Sequence, residues 1–571
     1  MENAPVTRPT QLHDLPFFGS LPSRLPPLPP LPLPSPSPSP PASLPSPRRF
    51  GMHSTISSVL SSQPCPIDGT VAIVGGGVSG LAAAHCLSLL SCDVLLLEAQ
   101  ETLGGRTQTI RSGPFAGKEL GAQWVHGGES NLVLRPLLAA LNLTMRPTRG
   151  DEVYQQGLYA PATLADGTRL TAAEIASSFD LFAAAFKEMA SLHASRRRLG
   201  QPDLPIGAAY DEVLSSKPWD ERTRALVGWH FTFLVEGDDG ALLHGPRGLS
   251  LDDTFGAAEY TSFYHYDGGR RPVNHDYVPS SGYSSLVDAL ASRATAAGVR
   301  LLLGASGEVL SIARTSGGVS LTTAAGAVHA ARHALVTLPL GVLQARPSLF
   351  SPPLPPPHLA AIASLAMGTL DKLLLAWPAP RWPANASGFG FVSPTPGYLP
   401  VALNEGAALA FLSGGANALA LEPLSDAAAA AAALPVLRTL LGAATPPPLH
   451  TLATRWAACR HTRGAYSYVP VNASSAAMAR LAAPAWGGAL RFGGEASCRR
   501  MYATVHGAYV AGLREAAALL GAEGARRAEA AWPLLRAARY CEEPAAGEGG
   551  AAPFVRRRAE EWLRRAARRR E

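Results

Sequence analysis

The chain has 571 residues, 47% hydrophobic and 16% charged, so it can bury the core of more than one domain and is no disordered polyelectrolyte. Its net charge is +6, but eight arginines and three glutamates from Arg556 to Glu571 carry five of those charges. The body is therefore close to neutral, which argues against a nucleic-acid-binding domain.

The chain opens on a proline-rich arm, with 13 prolines between Pro22 and Pro47. Proline lacks a backbone donor and cannot continue a helix or a central strand, so residues 1–67 are expected to be disordered and polyproline-like. A spacer, a ligand for a proline-reading partner and an organelle-targeting peptide all fit that composition. No charged region followed by an apolar run marks a secretory signal, and no run of about 18 uncharged apolar residues marks a membrane span. Six cysteines (Cys65, Cys86, Cys92, Cys459, Cys498, Cys541) show no CxxC pair and no metal-ligand spacing. No metal is expected, and a reduced, cytoplasmic setting follows, with organelle targeting by the arm left open. The sequons at Asn142, Asn385 and Asn472 matter only in a secreted protein.

Order is expected to begin near Thr70. VAIV (71–74), a glycine turn, LAAAHCLSLL (81–90) and DVLLLE (93–98) read as strand, helix and strand, hence a parallel sheet. The stretch 131–280 mixes helical patterns with aromatic loops. GYSSLVDALASRA, VRLLLGASGEVLSI and HALVTLPLGVL return to helix and strand within 281–350. From 351 to 485, strands alternate with an alanine-rich helix, and LRFGGEA leads into VHGAYVAGLREAAALL within 486–525. The fold class is α/β: a Rossmann-like nucleotide domain (68–130, 281–350, 486–525) interleaved with a mixed α+β substrate domain (131–280, 351–485). A helical, Arg-rich tail (526–571) follows.

The glycine turn is Gly75-Gly-Gly77-Val-Ser-Gly80, a GxGxxG match. Gly75 serves the tight turn, Gly77 the approach of a pyrophosphate, and Gly80 helix–strand packing. The following helix aims its N-terminal amides at phosphate. Glu98 ends the second strand 23 residues after Gly75, placed to accept hydrogen bonds from ribose hydroxyls. Gly104, Gly105 and Arg106 follow in a second glycine turn.

KELGAQWVHGGESN, VTLPLGVL, MGTLDKLLLAW, TRGAYSYVPV and RFGGEASCRRMYATVHGAYVAGLREAAAL together resemble the flavin-containing amine oxidases in order and spacing, across about residues 70–520. The likeness is to polyamine oxidases of the spermine and acetylpolyamine type, with some to flavin histone-lysine demethylases. The resemblance implies bound FAD, with Gly75, Gly77, Gly80, Glu98, Gly104, Gly105 and Arg106 as dinucleotide contacts. It places the Val309 backbone at adenine, Gly494 and Glu495 at the phosphate–ribityl side, and Val505 at the isoalloxazine edge. Lys372 matches the lysine held near flavin N5 through a water, and His126 a histidine that meets a substrate amine. Tyr466 matches the aromatic beside the flavin. Thr504 stands where monoamine oxidases carry a second tyrosine, and Ala465 where they carry the cysteine bonded to FAD. Non-covalent FAD and a wider site follow from those two positions.

The function implied is FAD-dependent oxidation of polyamines by O2, with Lys372 and His126 catalytic and His126, Tyr466 and Thr504 touching substrate. Two alternatives are a histone-lysine demethylase-like oxidase and a non-catalytic flavin-binding protein recruited by the arm. Asp371 is expected on the opposite face of its strand from Lys372. Glu236, Asp238 and Asp239 are candidates for binding distal ammonium groups, against a solvated acidic turn. The aromatic insertion from Tyr260 to Tyr277 is read either as a cover over the substrate mouth or as a surface loop.

Overall fold

VAIV is apolar on both faces, the pattern of a strand covered from both sides. In the computed structural model, which describes residues 64–148, 162–232, 240–256, 276–383 and 386–542, Val71–Val74 (β1) is fully buried at the centre of a five-stranded sheet. The order is Leu490–Phe492, His333–Val336, β1, Val94–Leu97, Arg300–Leu302, all parallel. Its strands come from three stretches widely separated in the chain. Helix α1 (Val78–Ser88) crosses from β1 to Val94–Leu97 with all its residues buried. It packs on the long helix Val505–Ala531, where a Cβ on Gly512 would lie 2.1 Å from the Ser79 carbonyl oxygen. Only a glycine lets these helices meet so closely.

The second sheet has six strands in the order His450–Ala453, Leu370–Ala376, Ala408–Gly414, Val401–Asn404, Gly388–Val392, Ala162–Leu164. All neighbours are antiparallel except the last pair. Along Leu370–Ala376 the side chains alternate between faces. Leu373 and Leu375 pack with the alanine-rich helix Asp426–Leu441, while Lys372 and Leu374 lie on the other face. On the far side of the sheet, Ala172–Arg198 starts at a capping box between Thr171 and Glu174 and buries Phe182 and Phe186 against Phe231.

The α/β class expected from the sequence is the class observed. Two boundaries differ, and so does the state of the cysteines. Residues 64–67 are not part of an isolated arm, because Cys65 is disulfide-bonded to Cys92 and Ile67 packs on the core. The tail does not begin at 526: the long helix kinks at Gly521 (φ 67°), continues to Ala531, and is followed by the 3-10 helix Pro533–Cys541, which buries Leu535 and Ala537. The cysteines are not all free thiols. Cys65–Cys92 and Cys498–Cys541 are disulfides, and only Cys86 and Cys459 stay reduced. Partners 27 and 43 residues apart leave no spacing signature; the fold alone makes them neighbours.

No helix among the described residues is long and apolar enough to cross a membrane, and no cluster of metal-ligating side chains occurs among them. Glu236, Asp238, Asp239, the proline-rich arm, most of the aromatic insertion and the Arg-rich end of the chain lie outside the described residues.

Candidate active site

A cavity of about 490 Å3 runs from the C-terminal end of β1 to the face of the six-stranded sheet. One end is built of backbone. Gly75 turns at φ 113°, and a Cβ on Gly80 would sit 2.0 Å from the Gly75 carbonyl oxygen, so this helix start and turn cannot separate. Gly77 is different: a Cβ there would meet only the Gly104 oxygen, at 3.9 Å, so the surface above it is cavity. Gly77 is also the N-cap of α1 and offers no side-chain cap, and the first turn holds no acid. The positive end of the helix therefore faces the cavity. Gly104 and Gly105 (φ 112° and 57°) close over it, with Gly104 N–H donating to the Gly76 oxygen at 3.0 Å. Glu98 accepts from the N–H groups of Gly76 (2.7 Å) and Gln100 (2.8 Å), and burial raises its pKa against those bonds. Val309 lines the same end, and its carbonyl accepts from Arg346.

The wall is pinned by a half-buried ion pair. Arg106 reaches Glu495 at 2.9 Å and the Ala465 oxygen at 2.8 Å. Glu495 also accepts from Ser467 Oγ (2.6 Å) and the Ala503 N–H (2.8 Å). One carboxylate thus joins three loops that are far apart in sequence. Gly494 N–H donates to Ser79 Oγ, fixing this turn against α1. Glycines that leave room, an uncapped helix start and a ribose-facing acid together fit a dinucleotide at this end.

The other end is built of side chains. Lys372 is 3% exposed, and its ammonium donates to the Glu119 oxygen (3.0 Å), the Gly121 oxygen (2.9 Å) and Gln123 Oε1 (2.8 Å). It lies 5.6 Å from the Trp124 ring centroid. Burial lowers its pKa to about 8, held from falling further by the Glu119 and Glu405 carboxylates. Lys372 is no solvated strand end: all three of its donors have acceptors. Gln123 is itself held by Glu405 at 2.7 Å.

His126 lines the cavity, with Nδ1 3.1 Å from Asp276 Oδ2; Asp276 Oδ1 accepts from the Gly127 N–H. That pairing calls for a hydrogen on Nδ1, which in the neutral ring makes Nε2 the acceptor. Tyr466 stands nearby, at the start of a short strand paired with Ala366–Gly368. Thr504 lines the cavity, but its hydroxyl donates to the Met501 oxygen and accepts from the Gly507 N–H. It caps the helix that starts at Val505, and that duty uses the group expected to meet substrate. His506, in the first turn, is driven down to about 3 by burial and by His126, so it is neutral there.

Asp371 sits on the opposite face, as the alternation requires. It accepts from Thr454 Oγ1 (2.7 Å) and the Trp456 N–H (3.1 Å), and the Thr454 hydroxyl in turn accepts from the Lys372 N–H. Burial, with the Glu422 carboxylate adding to it, raises the Asp371 pKa to about 8. A neutral acid thus backs the strand that carries the cation.

The geometry brings Lys372, His126, Tyr466, Thr504 and Val505 into one cavity with Gly75, Gly77, Glu98, Gly104, Gly105, Arg106, Val309, Gly494 and Glu495. Gly80 is not lining; it packs. Asp276, Glu119, Gln123 and Ser467 were missed by the sequence reading. Asp276 and Tyr277 close the aromatic insertion, and the Val125–Tyr277 bridge seats that end of it beside His126.

Residues 78–520 match the model of the flavin containing amine oxidoreductase family. The chain is 30% identical over 463 residues to Polyamine oxidase 4 of Oryza sativa subsp. japonica, covering 79% of this chain and 88% of that one. It is 30% identical over 497 residues to Lysine-specific histone demethylase 1 homolog 3 of Oryza sativa subsp. indica, covering 84% of this chain and 57% of that one. A putrescine oxidase structure with putrescine bound superposes with a TM-score of 0.61 at 21% identity, covering 80% of this chain and 99% of that one; at that identity the likeness is one of fold. A dinucleotide cradle opening onto a buried lysine, and a family match across most of the chain, lead to one assignment: the chain belongs to the flavin-containing amine oxidoreductases.

Proposed function

We propose that the chain is a polyamine oxidase with non-covalently held FAD, in which spermine, thermospermine, spermidine or an acetylated form is cleaved to an amine and an aldehyde while O2 becomes H2O2. The observation that carries this reading is that His126 and the buried Lys372 line the same cavity as the glycine cradle. Coverage of the relatives supports it: the chain spans most of the polyamine oxidase but little over half of the demethylase homologue. The division into an FAD-binding part and a substrate part, with the boundaries given above, belongs to the same proposal.

When bound, FAD supplies the acceptance of a hydride equivalent from the carbon next to the amine, and passes the electrons to O2. Gly77, Gly105, the start of α1 and Arg106 would hold its pyrophosphate, and Glu98 its ribose. Glu495 would face the ribityl side, and the N-terminus of Val505–Ala531 would favour negative charge at the ring edge. Ala465 has no thiol to form a covalent link.

The remaining roles belong to the chain. The second ring nitrogen of His126 takes a hydrogen bond from a neutral substrate amine, and Asp276 orients the ring by pairing with Nδ1. Tyr466 offers an aromatic face to the amine. Lys372 is charged at neutral pH, fixed by three acceptors, and near enough to its titration point to give up a proton as pH rises. The test is a substrate panel with product mass analysis. The purified protein should be yellow and release peroxide with at least one polyamine. A yellow protein inert to every polyamine but active on methyl-lysine peptides would replace this reading with the demethylase-like one.

A further inference from the structure

Two observations meet outside the cavity. The first is the pair of disulfides: four of the six cysteines are bonded, which requires an oxidant in the compartment where the chain folds. Each bond forms with loss of two thiol protons and two electrons to that thiol–disulfide oxidant. The two staples are independent. Cys65–Cys92 fastens the first described residues to the loop after α1, and Cys498–Cys541 fastens the terminal 3-10 helix to the turn after Glu495. The remaining thiols are the buried Cys86, whose pKa burial pushes up to about 12, and the half-buried Cys459.

The second observation is how the asparagines are used. Five lie among the described residues: Asn131, Asn142, Asn404, Asn417 and Asn472. Asn131 donates to the His126 oxygen and accepts from Val133 and Leu134. Asn404 donates to the Ala386 oxygen and accepts from Trp382 and Gly406. Asn417 donates to the Pro396 oxygen. The other two, Asn142 and Asn472, are exposed, and no hydrogen bond engages their side-chain amides within the described residues. Both stand in the left-handed region (φ 56° and 63°), at turns that project the side chain outward. Both head an Asn-X-Ser/Thr triplet, and the hydroxyl residues Thr144 and Ser474 are exposed as well. Among the described residues, the asparagines hydrogen-bonded through their side chains carry no sequon, and the two that carry one present their side chains to solvent.

We infer that the chain matures in an oxidising secretory compartment and carries N-linked glycans on Asn142 and Asn472. The donor class is a lipid-pyrophosphate-linked oligosaccharide. Transfer breaks the bond between its anomeric carbon and the pyrophosphate, forms a bond from that carbon to Nδ2, and releases an amide proton and the lipid pyrophosphate. Neither asparagine lines the cavity, so the sugars stand clear of the candidate active site. This replaces the reduced setting expected from cysteine spacing.

The experiment uses the full chain purified, unreduced, from cells that make it. Denatured, it should show two reactive thiols before reduction and six after. Peptides spanning Asn142 and Asn472 should lose a glycan mass on treatment with peptide-N-glycosidase and read Asp at each site. Thr144→Ala and Ser474→Ala should each abolish one glycan while leaving oxidase turnover within two-fold. Their use avoids altering the left-handed asparagines themselves. Six reactive thiols before reduction, or bare Asn142 and Asn472 on a chain whose disulfides have formed, would overturn the inference.

Discussion

The two ends of the cavity are made of different material. The nucleotide end is backbone: glycines, the open amides of a helix start and one acid, supplied mainly by the local run from Val71 to Arg106. The end proposed to take the amine is side chains: Gln123, Trp124, His126 with its partner Asp276, Lys372 and Tyr466, from positions up to 343 residues apart. A phosphate can be held by any amide in the right place, so its site is written in turn chemistry. An amine's identity must be read by groups of definite charge and tautomer, so its site is written in packing. One end can be broken by adding a methyl group, the other by removing a charge.

The largest effect is expected at Gly80. In Gly80→Ala the new methyl meets backbone oxygen at 2.0 Å, with no flexible atom to yield. The protein should lose roughly 2 kcal/mol or more, with flavin content and thermal midpoint falling together. Gly77→Ala separates the two functions of the motif: its methyl enters open space, so the fold should stand while bound flavin falls. If Gly77→Ala keeps its flavin, the cradle is misplaced.

Next is Lys372→Met, which removes the charge and keeps much of the volume. Turnover or flavin reoxidation should slow about ten-fold or more, in the range of a positioned proton-handling group. Flavin content should be unchanged, and any alkaline limb near the lysine's value of about 8 should vanish from the rate profile. Asp276→Asn comes third. It keeps the shape but lets the amide donate to Nδ1, which moves the imidazole proton to Nε2. A drop of about ten-fold in kcat/KM is expected from the misplaced hydrogen bond, with flavin content unchanged. A loss of stability with an unmoved kcat/KM would make Asp276 merely structural.

The smallest effect lies behind the strand. Asp371 holds a proton up to about pH 8 in the folded chain and releases it near 3.8 when unfolded. The folded state therefore binds the extra proton between those values, and stability falls as pH rises through that window. Asp371→Asn removes this slope, so the variant should gain on the wild type by a few degrees in thermal midpoint between about pH 4 and 8. Lys372 acts in the opposite sense only above its lowered value of about 8, where stability rises towards 10.5.

The nucleotide end was legible because its signal is local: strand, glycine turn, helix and acid fall within some thirty residues, and each has one physical reason. Lys372 was legible through its resemblance alone; nothing in LDKLLL says that Glu119 and Gly121 will present carbonyls to the ammonium. Asp276 was not legible, because the insertion that carries it has no periodic pattern and its partner His126 lies 150 residues away. Thr504 was half legible. It lines the cavity, but the cap that uses its hydroxyl depends on where the helix begins. The disulfides escaped for the same reason as Asp276: pairing across 27 and 43 residues is a property of the fold.

The strand Leu370–Ala376 has hydrogen-bonded neighbours on both edges, His450–Ala453 and Ala408–Gly414. Cation and acid occupy adjacent places on it, one on each face. A slip by a single place would not merely loosen the packing; it would exchange Lys372 for Asp371 and turn the cavity's buried cation into an acid. The ladder thus acts as a parity lock on the sign of the site. Insertions and deletions in the loops at either end can be absorbed, but within these seven residues an odd step changes the sign at the cavity and an even step puts a leucine in the place of Lys372.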